Sequence, residues 1–243
     1  MPDSPVVTPR LSVVMPAYNE EVILGASVDE VCSGLRSRAV EFELIVVENG
    51  SGDGTLALAR GMLDDHPELR VETLPVADYG AALRHGLLVA RGDAVVNFDT
   101  DYYDLDFLDQ AMGRVLAANG PAVVVGSKRG PGSDDTRALP RRLVTMVFST
   151  ILRVVYGLEV SDTHGMKAMR REAVVDHARA CVLGRDLFDT ELILRVERAG
   201  LSTDEIPVAV EERRPARTSI LRRVPRTLTG LVRLRGALRR GAT

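Results

Sequence analysis

From Leu11 onward, short β-branched runs bounded by turn residues alternate with longer stretches of helical period. A chain patterned this way folds as a parallel sheet flanked by helices. Strands are predicted at Leu11 to Met15, Phe42 to Val47, Arg70 to Leu74, Ala94 to Phe98, Ala122 to Gly126 and Ile206 to Val210. Helices are predicted at Glu21 to Arg38, Gly54 to His66, Tyr79 to Ala90 and Leu105 to Asn119. With 243 residues, 45% of them hydrophobic and 27% charged, the chain is long enough for one sizeable core. The expectation is a single Rossmann-like α/β domain with a mostly parallel central sheet.

Sheets of this class take their ligands outside the carboxyl ends of the strands. Three of the predicted strands end in polar runs: Pro16-Ala17-Tyr18-Asn19-Glu20, Glu48-Asn49-Gly50-Ser51-Gly52-Asp53 and Asp99-Thr100-Asp101. Asp99 and Asp101 stand two apart after an apolar run, so in an extended segment both carboxylates project from one side. Such a pair can share Mg²⁺ or Mn²⁺ with a diphosphate, because Mg²⁺ in particular favours one or two carboxylates plus phosphate oxygens and water. The same residues also read as a solvated turn capping the next helix. Glu48 and Asp53 bracket a glycine turn that lets a backbone approach a base or ribose, and equally read as a tight turn with Ser51 or Asp53 as N-cap.

The two cysteines, Cys32 and Cys181, have no metal-ligand spacing, and the start Met1-Pro2-Asp3-Ser4-Pro5 lacks the regions of a signal peptide. No uncharged apolar run nears the roughly 20 residues of a spanning helix. A cytoplasmic protein is expected.

Taken together, Val13 to Glu21, Val46 to Thr55, Asp78 to Gly86 and Ala90 to Asp93 leading into Asp99-Thr100-Asp101 resemble family 2 glycosyltransferases. The resemblance implies a GT-A fold over residues 10–219 behind an N-terminal tail, 1–9. It places Pro16, Tyr18, Glu20, Glu48 and Asp53 near the nucleotide, and Asp99 and Asp101 near the ribose, diphosphate and metal. Gly80 and Arg84 fall in the third motif, on the donor side.

Further along, Val125 to Lys128, Arg141-Arg142, Ser161 to Lys167, Phe188 to Leu192 and Glu205 to Val208 look like the branch that glycosylates polyprenyl phosphates. That implies a nucleotide-sugar donor of the GDP-mannose or UDP-glucose type, inversion at the anomeric carbon, and phosphate contacts at Lys128, Arg141 and Arg213. Asp162, His164 and Lys167 fall on the donor side, with His164 open as metal ligand, donor contact or structural residue. Tyr103 stands where the branch often carries a glutamine ligand, which implies a sparse metal shell centred on Asp101. If the acceptor is instead a hydroxyl, a carboxylate base is needed, and Asp189, Glu191 or Asp162 are the candidates; Glu191 equally reads as a helix cap or as an ion-pair partner of Arg195 at i+4.

Residues 213–243 carry ten arginines and no acid, although the whole chain is at −3. Within segment 220–243, Pro225 starts a helical pattern with Leu228, Leu231, Leu234 and Leu238 on one side. A basic amphipathic helix of this kind suits an anionic membrane surface, which fits a lipid-phosphate acceptor; a helix packed on the domain and a solvated tail are the alternatives. With few aromatics and no nucleic-acid motif, no nucleic-acid partner is expected.

Overall fold

The structure, a computed structural model, describes residues 9–127, 150–163, 165–208 and 229–238. The sites expected at Lys128, Arg141, His164 and Arg213 lie outside these residues. The described chain forms a seven-stranded sheet in the order β3-β2-β1-β4-β6-β5-β7. Its strands are β1 (Leu11–Ala17), β2 (Phe42–Asn49), β3 (Leu69–Leu74), β4 (Ala94–Asn97), β5 (Val123–Ser127), β6 (Lys167–Arg170) and β7 (Thr203–Pro207). All neighbouring pairs are parallel except those of β6, which runs antiparallel between β4 and β5.

The helices are α1 (Leu24–Ser37), α2 (Thr55–Gly61), α3 (Tyr79–Val89), α4 (Leu105–Val115), α5 (Arg171–Ala180), α6 (Phe188–Arg198) and α7 (229–238). Two of them open on aspartate caps. Asp78 accepts from Ala81 N–H, and Asp104 accepts from Asp106 and Phe107 N–H, satisfying donors that a helix start leaves unpaired. The second helix is shorter than predicted and stops at Gly61, a residue that weakens a helix interior.

Side chains alternate across the strands, so each strand feeds two cores. On one face Leu11, Val13 and Met15 pack with Val28, Val31 and Leu35 of α1 and Phe107 and Ala111 of α4. On the other, Val14, Ile45 and Val47 meet Leu83 and Leu87 of α3, Val174 of α5 and Leu192 and Val196 of α6. Gly86 lets α3 lie directly on the sheet, since a Cβ there would come within 2.3 Å of Val14 Cγ1. Both faces being covered explains why β1 and β2 are buried along their whole length.

α7 belongs to the second core. Leu231, Leu234 and Leu238 are buried there, and Tyr156, in the π-helical turn Leu152–Tyr156, donates its hydroxyl hydrogen to Leu231 O at 2.7 Å. Of the leucines that the sequence offered to a membrane, Leu231, Leu234 and Leu238 are therefore covered by the domain, leaving Val232, Arg233 and Arg235 on the outside, while Leu228 lies outside the described residues. Among the described residues no helix is long and apolar enough to cross a membrane.

Truncating Leu234, which is 0% exposed, should cost about 2–4 kcal/mol, the usual loss for a buried Leu→Ala change. Val232→Ala, at 75% exposure, should leave the urea midpoint unchanged. Equal midpoints for the two variants would place α7 outside the core.

Candidate active site

The chain runs from β1 outward through β2 and β3, then returns to add β4 on the other side of β1. The β1–β4 boundary is thus the point where the winding reverses, the position at which open α/β sheets bind ligands. The β1–β2 register continues to Ala17 opposite Glu48, whereas the β1–β4 register ends at Val14 opposite Asn97. Beyond Val14 the two central strands part. Pro16 lies in the parted section, where a residue without an N–H no longer interrupts pairing with β4.

Asp99, Thr100, Asp101 and Tyr102 close the mouth of this gap as a tight turn. Asp99 N–H donates to Tyr102 O at 3.0 Å, Tyr102 N–H donates to Asp99 O at 3.2 Å, and Ser27 Oγ of α1 donates to Thr100 O at 2.6 Å. The segment is therefore not extended, as its spacing predicted, because these bonds fold it back on itself. The carboxylates nevertheless remain neighbours. Burial and then the charge of Asp101 push the Asp99 carboxyl above its usual pKa, against a hydrogen bond of 2.9 Å from Tyr79 Oη that favours the ionised form.

Asp101 has no hydrogen bond or ion pair among the described residues. Tyr103 is turned away from it: its hydroxyl donates to Glu30 Oε2 of α1 at 2.6 Å and its ring lies against Phe98. Among the described residues no group of three or more His, Cys, Asp or Glu could hold a metal ion. Two carboxylates with surplus negative charge fit a hard cation whose remaining ligands are phosphate oxygens and water.

Behind the turn lies a buried polar layer. Lys167 Nζ sits 2.9 Å from Asp189 Oδ1 and donates to Gly165 O at 2.6 Å, with Lys167 at 0% and Asp189 at 3% exposure. Asn97 Nδ2 donates to Gly165 O at 3.3 Å, while its buried Oδ1 has no partner. Glu191 is fully buried and accepts from Val182 and Leu183 N–H at 3.0 and 2.8 Å and from the Arg195 guanidinium at 2.9 and 2.7 Å. It anchors a loop and closes the i+4 pair with Arg195. Glu191 is thus placed as a structural acid, and Asp189 as the partner of Lys167.

The loops after β1 and β2 are tied to each other. Asn19 N–H donates to Ser51 Oγ, Gly52 N–H to Asn19 Oδ1, Glu20 N–H to Thr55 Oγ1 and Gly54 N–H to Glu21 Oε2, all at 2.8–3.0 Å. Asp53 takes Thr55 N–H and Oγ1 on one oxygen. Glu48, buried, accepts from Ser51 N–H. Tyr18, at 43% exposure, presents its ring at this edge.

Asn49, singled out only as part of a motif, joins three elements: its Nδ2 donates to Ala17 O at 2.9 Å and its Oδ1 accepts from Asp78 N–H at 3.1 Å. Asp162 N–H lies 3.4 Å from Glu205 Oε1, and the Asp162 charge reaches Tyr102, whose hydroxyl is pushed up to about 12, chiefly by burial.

Gly80 and Arg84, expected on the donor side, both lie in α3. Arg84 spans from α3 to the end of α5, donating to Ala178 O at 3.0 Å and Arg179 O at 2.7 Å, so its guanidinium serves helix packing. Gly80 gives α3 a close approach to the backbone of Arg185. Tyr79 was missed by sequence reasoning; its place beside the helix-capping Asp78, at a strand's carboxyl end, was the available signal.

A sequence model of glycosyl transferase family 2 matches residues 12–178, more than half of the chain. The chain belongs to this family. Dolichyl-phosphate beta-glucosyltransferase ALG5A of Trichomonas vaginalis is 28% identical over 214 residues, covering 83% of this chain and 66% of the relative. Glycosyltransferase AglD of Haloferax volcanii is 31% identical over 219 residues, covering 88% and 35%. The chain therefore spans between about a third and two-thirds of the length of these curated relatives. Among solved structures, glucosyl-3-phosphoglycerate synthase from Mycobacterium tuberculosis with bound UDP is 26% identical with a TM-score of 0.59, covering 91% of this chain and 79% of that one. The GT-A fold implied by the sequence is the fold observed in this family 2 member.

Because the folded state holds the Asp99 pKa above its unfolded value, the native protein binds the proton more tightly. Ionising Asp99 then costs stability as pH rises through that interval, and the cost persists at neutral pH. Asp99→Asn keeps an acceptor for Tyr79 and removes the charge. At pH 7, without divalent metal, the variant should melt above the wild type in calorimetry, with the gap shrinking as pH falls; a lower Tm at pH 7 would show that Asp99 is compensated.

Proposed function

We propose that the chain transfers a hexose, with inversion, from a nucleotide sugar of the UDP-glucose or GDP-mannose type to the phosphate of a polyprenyl phosphate. One observation favours a phosphate nucleophile over a hydroxyl. Two of the three carboxylates available as a base, Asp189 and Glu191, are buried and engaged with Lys167 and Arg195. A phosphate monoester is already largely ionised near neutral pH and attacks without a base, so the site has to position and neutralise rather than deprotonate. The dolichyl phosphate in the name of the Trichomonas relative supports this acceptor, and its glucosyl group, together with the UDP in the solved synthase, supports UDP-glucose as the first donor to try.

In this reading Asp101 and Asp99 hold Mg²⁺ or Mn²⁺. When bound, the cation offsets charge growing on the leaving nucleoside diphosphate. The protein's own part is placement. Tyr79 fixes the orientation of Asp99, and Ser27 pins the turn that carries Asp101. The knitted loops carrying Tyr18, Glu20, Glu48 and Asp53 shape the nucleotide end, while Lys167 balances the buried Asp189. Lys128, Arg141 and Arg213 serve the phosphates, and His164 and Asp162 flank the donor. At an anionic leaflet on the cytoplasmic face, the outward Arg233 and Arg235, rather than the buried leucines, make the contact.

The test is a pair of measurements on the full chain. UDP or GDP should raise the Tm in the presence of Mn²⁺ or Mg²⁺ and much less in its absence, because ligand bound only to the native state stabilises it by mass action. Asp101→Ala should abolish the metal-dependent part. Labelled hexose should pass to polyprenyl phosphate, and Asp162→Asn should retain that transfer. Loss of transfer in Asp162→Asn with donor binding intact would favour the hydroxyl-acceptor reading, and a metal-dependent shift retained by Asp101→Ala would displace Asp101 as the anchor.

A further inference from the structure

A nucleotide diphosphate and a phosphate acceptor bring several negative charges to an edge that already carries Asp99, Asp101 and Asp162. The buried cation behind the turn, Lys167, is spent on Asp189. Arg185 is different. Its side chain is exposed and its guanidinium makes no hydrogen bond or ion pair among the described residues. Its backbone has φ 50°, the left-handed region that glycine occupies freely and an arginine occupies at a cost.

The surroundings enforce that conformation. Asp78 Oδ1, already capping α3, accepts from Arg185 N–H at 2.6 Å. Gly184 leaves room for the same carboxylate, since a Cβ there would lie 2.6 Å from Asp78 Oδ2. Gly80 admits the Arg185 backbone, for its own Cβ would fall 2.7 Å from Arg185 N and 2.8 Å from Arg185 O. The residue beside Gly80 is Tyr79, which holds Asp99. Three residues beyond Arg185, α6 begins and carries Asp189 to Lys167. A strained arginine, unpaired among the described residues, is thus clamped from both sides at the start of α3, next to the tyrosine that holds Asp99. Strain retained where glycine would fit without cost indicates use of the side chain.

We propose that Arg185 is a phosphate-binding residue of the transfer site. Its planar fork suits bidentate capture of phosphate oxygens, and the clamp keeps it preorganised. The phosphate belongs either to the donor diphosphate or to the acceptor. This proposal rests on the function assigned above, because it presumes that both phosphates meet at this edge.

The experiment compares the full chain with Arg185→Gly and Arg185→Lys. Calorimetric titrations use UDP or GDP with Mn²⁺ in one arm and a water-soluble isoprenyl monophosphate in the other, and Tm is recorded without ligand. Arg185→Gly should raise the Tm, because glycine relieves the left-handed strain, yet weaken binding at least tenfold in one arm; the arm affected identifies which phosphate the residue holds. Arg185→Lys should recover part of the loss. Unchanged affinity in both arms, with wild-type binding intact, overturns the proposal and leaves the assigned function standing. A wild type that binds neither probe overturns the assigned function and this proposal with it. A fall in Tm for the glycine variant, with affinities unchanged, would make Arg185 a structural residue.

Discussion

Everything at the active edge depends on the early end of the β1–β4 pairing. β1 keeps its hydrogen bonds to β2 for three residues after its last partner in β4, Asn97, has been passed. In a sheet covered by helices on both faces, the carboxyl edge is where backbone and side-chain polar groups can meet a ligand. The parting of two central strands turns that edge into a gap. Pro16 is compatible with the gap, and the Asp99–Tyr102 turn spans its far side. Asn49 then ties the ends of β1 and β2 to the start of α3, so that Tyr79 arrives over Asp99.

The charges gathered here are poor instruments of stability. Removing Lys167 and Asp189 from water costs several kcal/mol per ion in the interior, and their attraction repays that only with good geometry and further hydrogen bonds. Asn97 Oδ1 is left unpaired nearby, and Asp99 is held above its ordinary pKa. A fold tuned only for stability would fill this volume with apolar side chains. Uncompensated polar groups concentrated at the winding reversal, in a family of transferases, are what a site that receives a cation and phosphates requires.

Much of this could be read from the sequence because β-branched runs and polar strand ends are strong local signals. The strands at Leu11, Phe42, Arg70 and Ala94 and the helices at Tyr79 and Leu105 stand within a few residues of their predicted limits. β6 escaped. Lys167-Ala168-Met169-Arg170 is four residues long, contains no β-branched residue, and hides its lysine by pairing it with an aspartate 22 positions away. The C-terminal helix was legible as amphipathic, but its direction was not: to a leucine, a protein core and a lipid interior are both refuges from water, and the pattern alone does not distinguish them. Glu191 and Arg195 show the same limit. Their spacing announced an ion pair, while burial and the two backbone donors from Val182 and Leu183 came only with the tertiary structure.

The metal question shows how one side chain's direction constrains a mechanism. Tyr103 occupies the place where the resemblance leads one to look for a third ligand, and its hydroxyl is committed to Glu30 of α1. Asp101 has no partner within the described chain, and Asp99 shares its carboxylate with Tyr79. In the function proposed above, a cation held by these two carboxylates would complete its shell with water and phosphate oxygens, which would make the nucleotide part of the metal site. Linkage then makes the coupling reciprocal: whatever the diphosphate adds to cation affinity, the cation adds to diphosphate affinity by the same factor. In the function proposed above, a sparse protein shell of this kind would tie metal binding to donor binding.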